Sequence, residues 1–101
     1  MRKVILLCAA GMSTSMLVKK IVEAAKEIDY DVDVSAYSIS EAKNVVPSSD
    51  IVLLGPQVRF NLKKIQDSFP DKPVSVIDMR DYGTMNGKSV VAMIKKVLKD
   101  D

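Results

Sequence analysis

The sequence contains no histidine and a single cysteine, Cys8, and these two scarcities remove most of the familiar catalytic apparatus. Without histidine no Ser-His-Asp or Cys-His nucleophile arrangement and no His-ligated metal site can form within the chain. One cysteine forbids an internal disulfide, a Cys-x-x-Cys redox pair and a zinc site built on several thiolates. Charge of one sign is scarce as well. With 15 Lys+Arg against 13 Asp+Glu the net charge is +2, far short of the clustered basic footprint that nucleic acid requires. Long apolar runs are missing too. Val4-Ile5-Leu6-Leu7 follows Arg2-Lys3 in faint imitation of a leader, but Gly11-Met12-Ser13-Thr14-Ser15 halts it and Lys19-Lys20 follow, so no membrane insertion is expected. A lone free thiol without an export signal suits the cytoplasm. Chemistry is left to Cys8, a carboxylate, a lysine or backbone groups.

At 101 residues the chain is expected to form one domain, 1–101, monomeric when isolated, with enough core to need no staples. Val4 to Leu7 and Ile51 to Leu54 are continuous apolar runs, as strands covered on both faces require. Val32, Val34 and Ala36 alternate with Asp31, Asp33 and Ser35, the pattern of a half-exposed edge strand, and Val74 to Ile77 supplies a fourth. Between them, Leu17, Ile21, Ala24, Ala25 and Ile28 recur at helical spacing, as do Val58, Leu62, Ile65 and Phe69, and later Val90, Ile94, Val97 and Leu98. Ser38-Ile39-Ser40-Glu41 caps a short helix that Pro47 ends near Val46, and Pro56 suits a first helical position. Asp78 to Gly87 reads as a polar loop. Strand and helix alternate four times, which demands right-handed crossovers and a parallel sheet. The fold predicted is an α/β three-layer sandwich with a four-stranded parallel sheet, order 2-1-3-4, and helices on both faces. Ligands of such sheets bind beyond the carboxyl ends of the strands where the order reverses, here between strands 1 and 3.

The segment Cys8-Ala9-Ala10-Gly11-Met12-Ser13-Thr14-Ser15 occupies that position. Its residues are small or hydroxylated, so the backbone can fold tightly and aim its N–H groups at one point, Gly11 tolerating positive φ. Helix-start amides and the helix dipole make a phosphate or oxyanion cradle, each charge-assisted N–H bond contributing roughly 1.5–3 kcal/mol. The same field favours the thiolate, the form of Cys8 that reacts. A dinucleotide loop wants three glycines where this has one, and a Walker A loop wants a lysine that is absent between Cys8 and Val18. Low-molecular-weight tyrosine phosphatases share the strand-Cys-loop-helix layout but need an arginine after five intervening residues, to clamp the phosphoryl oxygens. Thr14 stands there instead. Without that guanidinium, and without histidine, hydrolysis of a phosphocysteine should be slow, although Asp78 or Asp81 offers a general acid. A carrier that takes a phosphoryl group from one partner and gives it to another is the better reading. A phosphatase-like hydrolase of phosphomonoesters and a non-catalytic anion-binding regulatory module are the competing ones.

The strings Leu7-Cys8-Ala9-Ala10-Gly11-Met12-Ser13-Thr14-Ser15, Val52-Leu53-Leu54-Gly55-Pro56-Gln57, Lys72-Pro73-Val74, Val76-Ile77-Asp78 and Tyr82-Gly83 span nearly the whole chain. Together they resemble the EIIB components of the sugar phosphotransferase system, lactose/cellobiose/chitobiose class, cellobiose-type branch. The resemblance implies a cytoplasmic phosphotransferase whose catalytic Cys8 takes a phosphoryl group from a phosphohistidine on EIIA. It would pass the group to a cellobiose- or chitobiose-like β-disaccharide held by the membrane permease EIIC. It also implies that Ala9, Ala10, Gly11, Met12, Ser13, Thr14 and Ser15 form the phosphate-binding loop, with no cofactor and no metal. The donor imidazole then belongs to the partner, which makes the absence of histidine sensible.

Three further residues are candidates for the rim. Gln57 either hydrogen-bonds the cradle or caps a helix, Tyr82 lines the rim or packs over the sheet edge, and Asp78 orients the loop or simply turns the chain. Met12 and Met16 suit a surface that must accept two partners in succession, or Met16 simply fills the core. Arg59 and Arg80, in rim loops, are placed to recruit an acidic partner or tolerate the incoming phosphate.

Overall fold

The computed structural model describes residues 1–9 and 15–100. The first apolar run forms β1 (Arg2–Cys8), followed by α1 (Ser15–Glu27) and β2 (Val32–Ser38). A 3-10 turn at Ile39–Glu41, the short α2 (Ala42–Val45) and a 3-10 turn at Val46–Ser48 lead to β3 (Ile51–Leu54). A further 3-10 stretch, Pro56–Asn61, enters α3 (Leu62–Ser68), and then come β4 (Val74–Val76), α4 (Met79–Gly83) and α5 (Gly87–Leu98). All four strands pair in parallel in the order β2-β1-β3-β4, as the alternation of elements required.

The two central runs are apolar throughout because each of their faces is covered. Val4 and Leu6, with Val34, Ile51, Leu53 and Ile77, pack against Leu17 and Ile21 of α1 and Val90, Val91 and Ile94 of α5. Ile5 and Leu7, with Val52 and Leu54, face the other way onto Ala42, Val46, Val58 and Ile65. Each such fully buried aliphatic side chain contributes about 2 kcal/mol.

Some local expectations give way. Asp78 to Gly87 is not all loop. The Asp78 carboxylate accepts a hydrogen bond from the Arg80 backbone N–H at 2.8 Å and caps the five-residue α4. Pro47 does not clear helical geometry from its surroundings but sits in the 3-10 turn after α2, and Pro56 opens a 3-10 stretch rather than an α-helix. Ile28 is 53% exposed rather than inward, because α1 ends at Glu27 and Asp29, at φ 54°, swings the chain toward β2. Val97 falls at the edge of its stripe and is partly exposed.

Helices α1 and α5 meet at one very close approach. An ideal Cβ at Gly87 would lie 2.2 Å from the Lys20 carbonyl oxygen and 2.9 Å from the Ile21 nitrogen.

At the end where β1 begins, Arg2 forks onto Asp100, Nε donating to Oδ2 at 2.8 Å and Nη2 to Oδ1 at 2.7 Å. Tyr30 Oη donates to the same Oδ2, and Lys95 Nζ stands 5.5 Å from the centre of the Tyr30 ring. Hydrogen bonds from Arg2 and then from Tyr30 pull the Asp100 carboxyl from 3.8 down to about 2. Desolvation, followed by the hydrogen bond to Asp100, pushes the Tyr30 phenol up to about 12. A carboxyl depressed by folding stabilises the native state above its unfolded value and loses that contribution as pH falls. The gap in urea midpoint between the wild type and Asp100→Asn should therefore be constant from about pH 5 to about pH 9, below the range in which the Tyr30 phenol titrates. It should close as pH falls toward about 2, where the native carboxyl is protonated too. A gap that stays constant down to about pH 2 would show that Asp100 is not linked to folding in this way.

Candidate functional site

The carboxyl ends of the four strands bring together the residues that the sequence marks out. Cys8 is the last residue of β1 and pairs in register with Ser38, the last of β2. Leu6 pairs with Leu53 and Leu7 with Leu54, so the next step sets Gly55 beside Cys8 across the point where the strand order reverses. The chain leaves β3 there, with Gly55 N donating to Leu7 O at 2.9 Å. Cys8 continues the Val4–Leu6 alternation, so its side chain belongs to the face covered by α1 and α5.

The space at Gly55 defines the surroundings of the thiol. An ideal Cβ on Gly55 would lie 2.9 Å from Gln57 Oε1, 3.5 Å from Cys8 Cβ and 3.6 Å from Tyr82 Cε2. Two of the three rim candidates, Gln57 and Tyr82, therefore converge on the same point as Cys8. Gln57 is exposed and lies back over Gly55, while Tyr82 is half-buried and packs against the α1/α5 side of the core. The third, Asp78, directs its carboxylate to the backbone of α4 and caps that helix. Cys8 itself is 1% exposed, but it is not surrounded by hydrocarbon alone, since Ser38 and Gln57 bring polar groups to its layer.

Of the expected phosphate loop, Ala9 is exposed just after β1 and Ser15 is exposed as the first residue of α1. Ala10, Gly11, Met12, Ser13 and Thr14 lie outside the described residues. Met16 is half-exposed in the first turn of α1. Arg59 donates from Nη1 to Pro56 O at 3.3 Å, beside the thiol-flanking turn. Among the described residues no group of three or more Cys, Asp or Glu is placed to hold a metal ion, and no helix is long and apolar enough to cross a membrane.

The model of the lactose/cellobiose-specific IIB subunit of the phosphotransferase system matches residues 3–93. The chain belongs to that family. A galactose-specific EIIB component of Lactococcus lactis subsp. cremoris is 39% identical, with 92% of this chain and 93% of the relative covered. The oligo-beta-mannoside-specific EIIB component of Bacillus subtilis is 41% identical, over 87% of each chain. The solution structure of a cellobiose-specific IIB component from Borrelia burgdorferi superposes with a TM-score of 0.80 at 38% identity, covering 98% of this chain and 93% of that one. A lactose-specific IIB domain from Streptococcus pneumoniae, 17% identical, shares the fold with a TM-score of 0.83 over 94% and 95% of the two chains. This EIIB component is thus a phosphotransferase of a sugar phosphotransferase system, the kind of component that works with EIIA and EIIC partners.

In the sequence Gly55 stands out only as a member of the string Val52-Leu53-Leu54-Gly55-Pro56-Gln57. Aligning the two apolar runs side by side would have shown it, because the residue after each run then shares a layer with the other. Its φ of −64° suits any residue, so Gly55→Ala should fold with a stability change within about 1 kcal/mol. The new methyl must displace the Gln57 amide, and it would fill the space between Cys8 and Tyr82 at ordinary contact distance from both. The expected result is a phosphoryl-transfer rate lowered about tenfold with the melting temperature shifted by no more than about 8 °C. Normal transfer by Gly55→Ala would show that the gap beside the thiol has no role in the reaction.

Proposed function

We propose that Cys8 accepts the phosphoryl group from a phosphohistidine of EIIA and passes it to a sugar bound by EIIC. In the first step the P–N bond of the donor breaks as an S–P bond forms, and the imidazole leaves as the electron-pair acceptor. In the second a sugar hydroxyl attacks phosphorus and gives up its proton to solvent as the S–P bond breaks, and the bond's electron pair stays on sulfur and restores the thiolate. Both are in-line displacements governed by positioning and charge. The observation that carries the reading is the placement of Cys8 beside Gly55, at the reversal of strand order in a sheet of this family. Shielding from bulk water suits a thiol that must hold a phosphoryl group without losing it to hydrolysis.

The backbone of residues 9 to 15 forms the cradle in this reading, and Gln57 and Tyr82 close its rim. Residues 1–101 act as one domain in the cytoplasm. The sugar is a β-disaccharide of the cellobiose or chitobiose type, a reading supported by relatives specific for cellobiose and for oligo-beta-mannosides. Incubation with phosphorylated EIIA followed by peptide mass analysis should locate one phosphoryl group, on Cys8. Turnover of p-nitrophenyl phosphate should be negligible. A phosphoryl group on another residue, or rapid turnover of the ester, would overturn the carrier reading.

A further inference from the structure

We propose that Gln57 is a catalytic residue of the transfer, its side-chain amide donating a hydrogen bond to the phosphoryl group as that group reaches Cys8. The inference deepens the proposed function and rests on Cys8 being the acceptor. Cys8 stands two residues after Leu6 and Gly55 two after Leu53, so both face the side of the sheet that α1 and α5 cover. The Gln57 carboxamide returns to that same side. An ideal Cβ on Gly55 would lie 2.9 Å from Gln57 Oε1 and 3.5 Å from Cys8 Cβ, so amide and thiol-bearing carbon flank one point.

The backbone that carries Gln57 is fixed. Pro56 and Val58 on either side of it are buried, and Val58 N donates to Gly55 O at 3.0 Å, closing a tight turn. Gln57 itself is exposed, so its amide borders solvent as well as the layer of the thiol. None of the described residues makes a hydrogen bond to that amide. Arg59, by contrast, is engaged, bonded to Pro56 O and lying over the Phe60 ring. A deprotonated phosphoryl oxygen only accepts, so the amide meets it through Nε2, which a half-turn about the last side-chain bond exchanges for Oε1.

The reaction calls for a donor at this place. Charge spreads over the equatorial oxygens of the phosphoryl group during transfer, and a donor already in position stabilises it without reorganisation. The phosphatase layout supplies a guanidinium from the loop, where this sequence has Thr14. The Gln57 amide keeps its proton, adds a hydrogen bond and brings no charge of its own.

The test reads two quantities with EIIA. One is kcat/KM for transfer from phosphorylated EIIA to Cys8, and the other is the equilibrium division of the phosphoryl group between EIIA and Cys8. Gln57→Ala should lower kcat/KM about tenfold or more and move the equilibrium toward EIIA by a similar factor. Its melting temperature should stay within a few degrees of the wild type's, since the side chain is exposed. Gln57→Glu, alike in shape but anionic, should move the equilibrium further than alanine does. A lowered kcat/KM with the wild-type equilibrium would mean that Gln57 only docks EIIA, and overturns the proposal. A wild-type kcat/KM for Gln57→Ala, or a wild-type equilibrium for Gln57→Glu, overturns it too. In each of these cases Cys8 still carries the label. Labelling of the wild type at another residue overturns the acceptor assignment and this inference with it.

Discussion

Replacing Cys8 by alanine should reduce phosphoryl acceptance from phosphorylated EIIA by about a thousandfold or more, to the background of the uncatalysed reaction. No other group in the chain offers the same chemistry, since it holds no second thiol and no imidazole. The loss should be chemical rather than structural. Removing one buried sulfur leaves a small void at the carboxyl end of a central strand and costs about 1 kcal/mol, which a protein of this size survives. Cys8→Ser is the harsher probe of stability, because it buries a hydroxyl at a cost of about 1–3 kcal/mol while remaining a poor nucleophile. Both variants should keep the circular dichroism of the wild type and fail to take up label. Undiminished labelling of the alanine variant would remove Cys8 from the mechanism altogether.

Gly87→Ala is expected to be the most destabilising small substitution among the described glycines. The added carbon would sit 2.2 Å from the Lys20 carbonyl oxygen, backbone that cannot swing aside as a side chain would. Relief requires α5 to move away from α1, which loosens Leu17, Ile21, Val90, Val91 and Ile94 together. Overpacking of this kind costs about 1–3 kcal/mol, and the separation of two packed helices places this case at the upper end. Alanine's greater helix propensity, less than about 1 kcal/mol, does not offset it at the first turn. A urea midpoint lowered by about 1 M or more would be the signature. A midpoint equal to that of the wild type would mean that the two helices can separate without loss. Gly83→Ala makes a clean comparison, since nothing stands within 4 Å of its Cβ position.

The sheet was legible because its physics is local and repetitive. Two four-residue apolar runs can only be central strands, and Asp31, Asp33 and Ser35 between apolar residues can only mark an edge. What escaped was set by contacts that no periodicity records. Helix α4 rests on one side chain, Asp78, bonding the backbone two residues on, with Asp81 at the third position as the only other hint. Ile28 kept the spacing of its stripe yet left the core because Asp29 took a left-handed turn. At the site, Cys8 was found from its position at the end of a strand, and Gln57 and Tyr82 from the motifs around them. The part played by Gly55 depends on the register between strands more than 40 residues apart in sequence, which neither apolar run displays until the two are set side by side. Residues 10 to 14, read as the heart of the cradle, lie outside the described residues.

The clasp of Arg2 and Asp100 has a practical corollary for anyone building with this molecule. It fastens the two extremities of the fold at the pole where β1 starts, and about 20 Å of strand separates that pole from the sulfur. Tags, reporters or neighbouring modules spliced onto either extremity will leave from the back of the molecule, and the front stays clear for visitors arriving in turn.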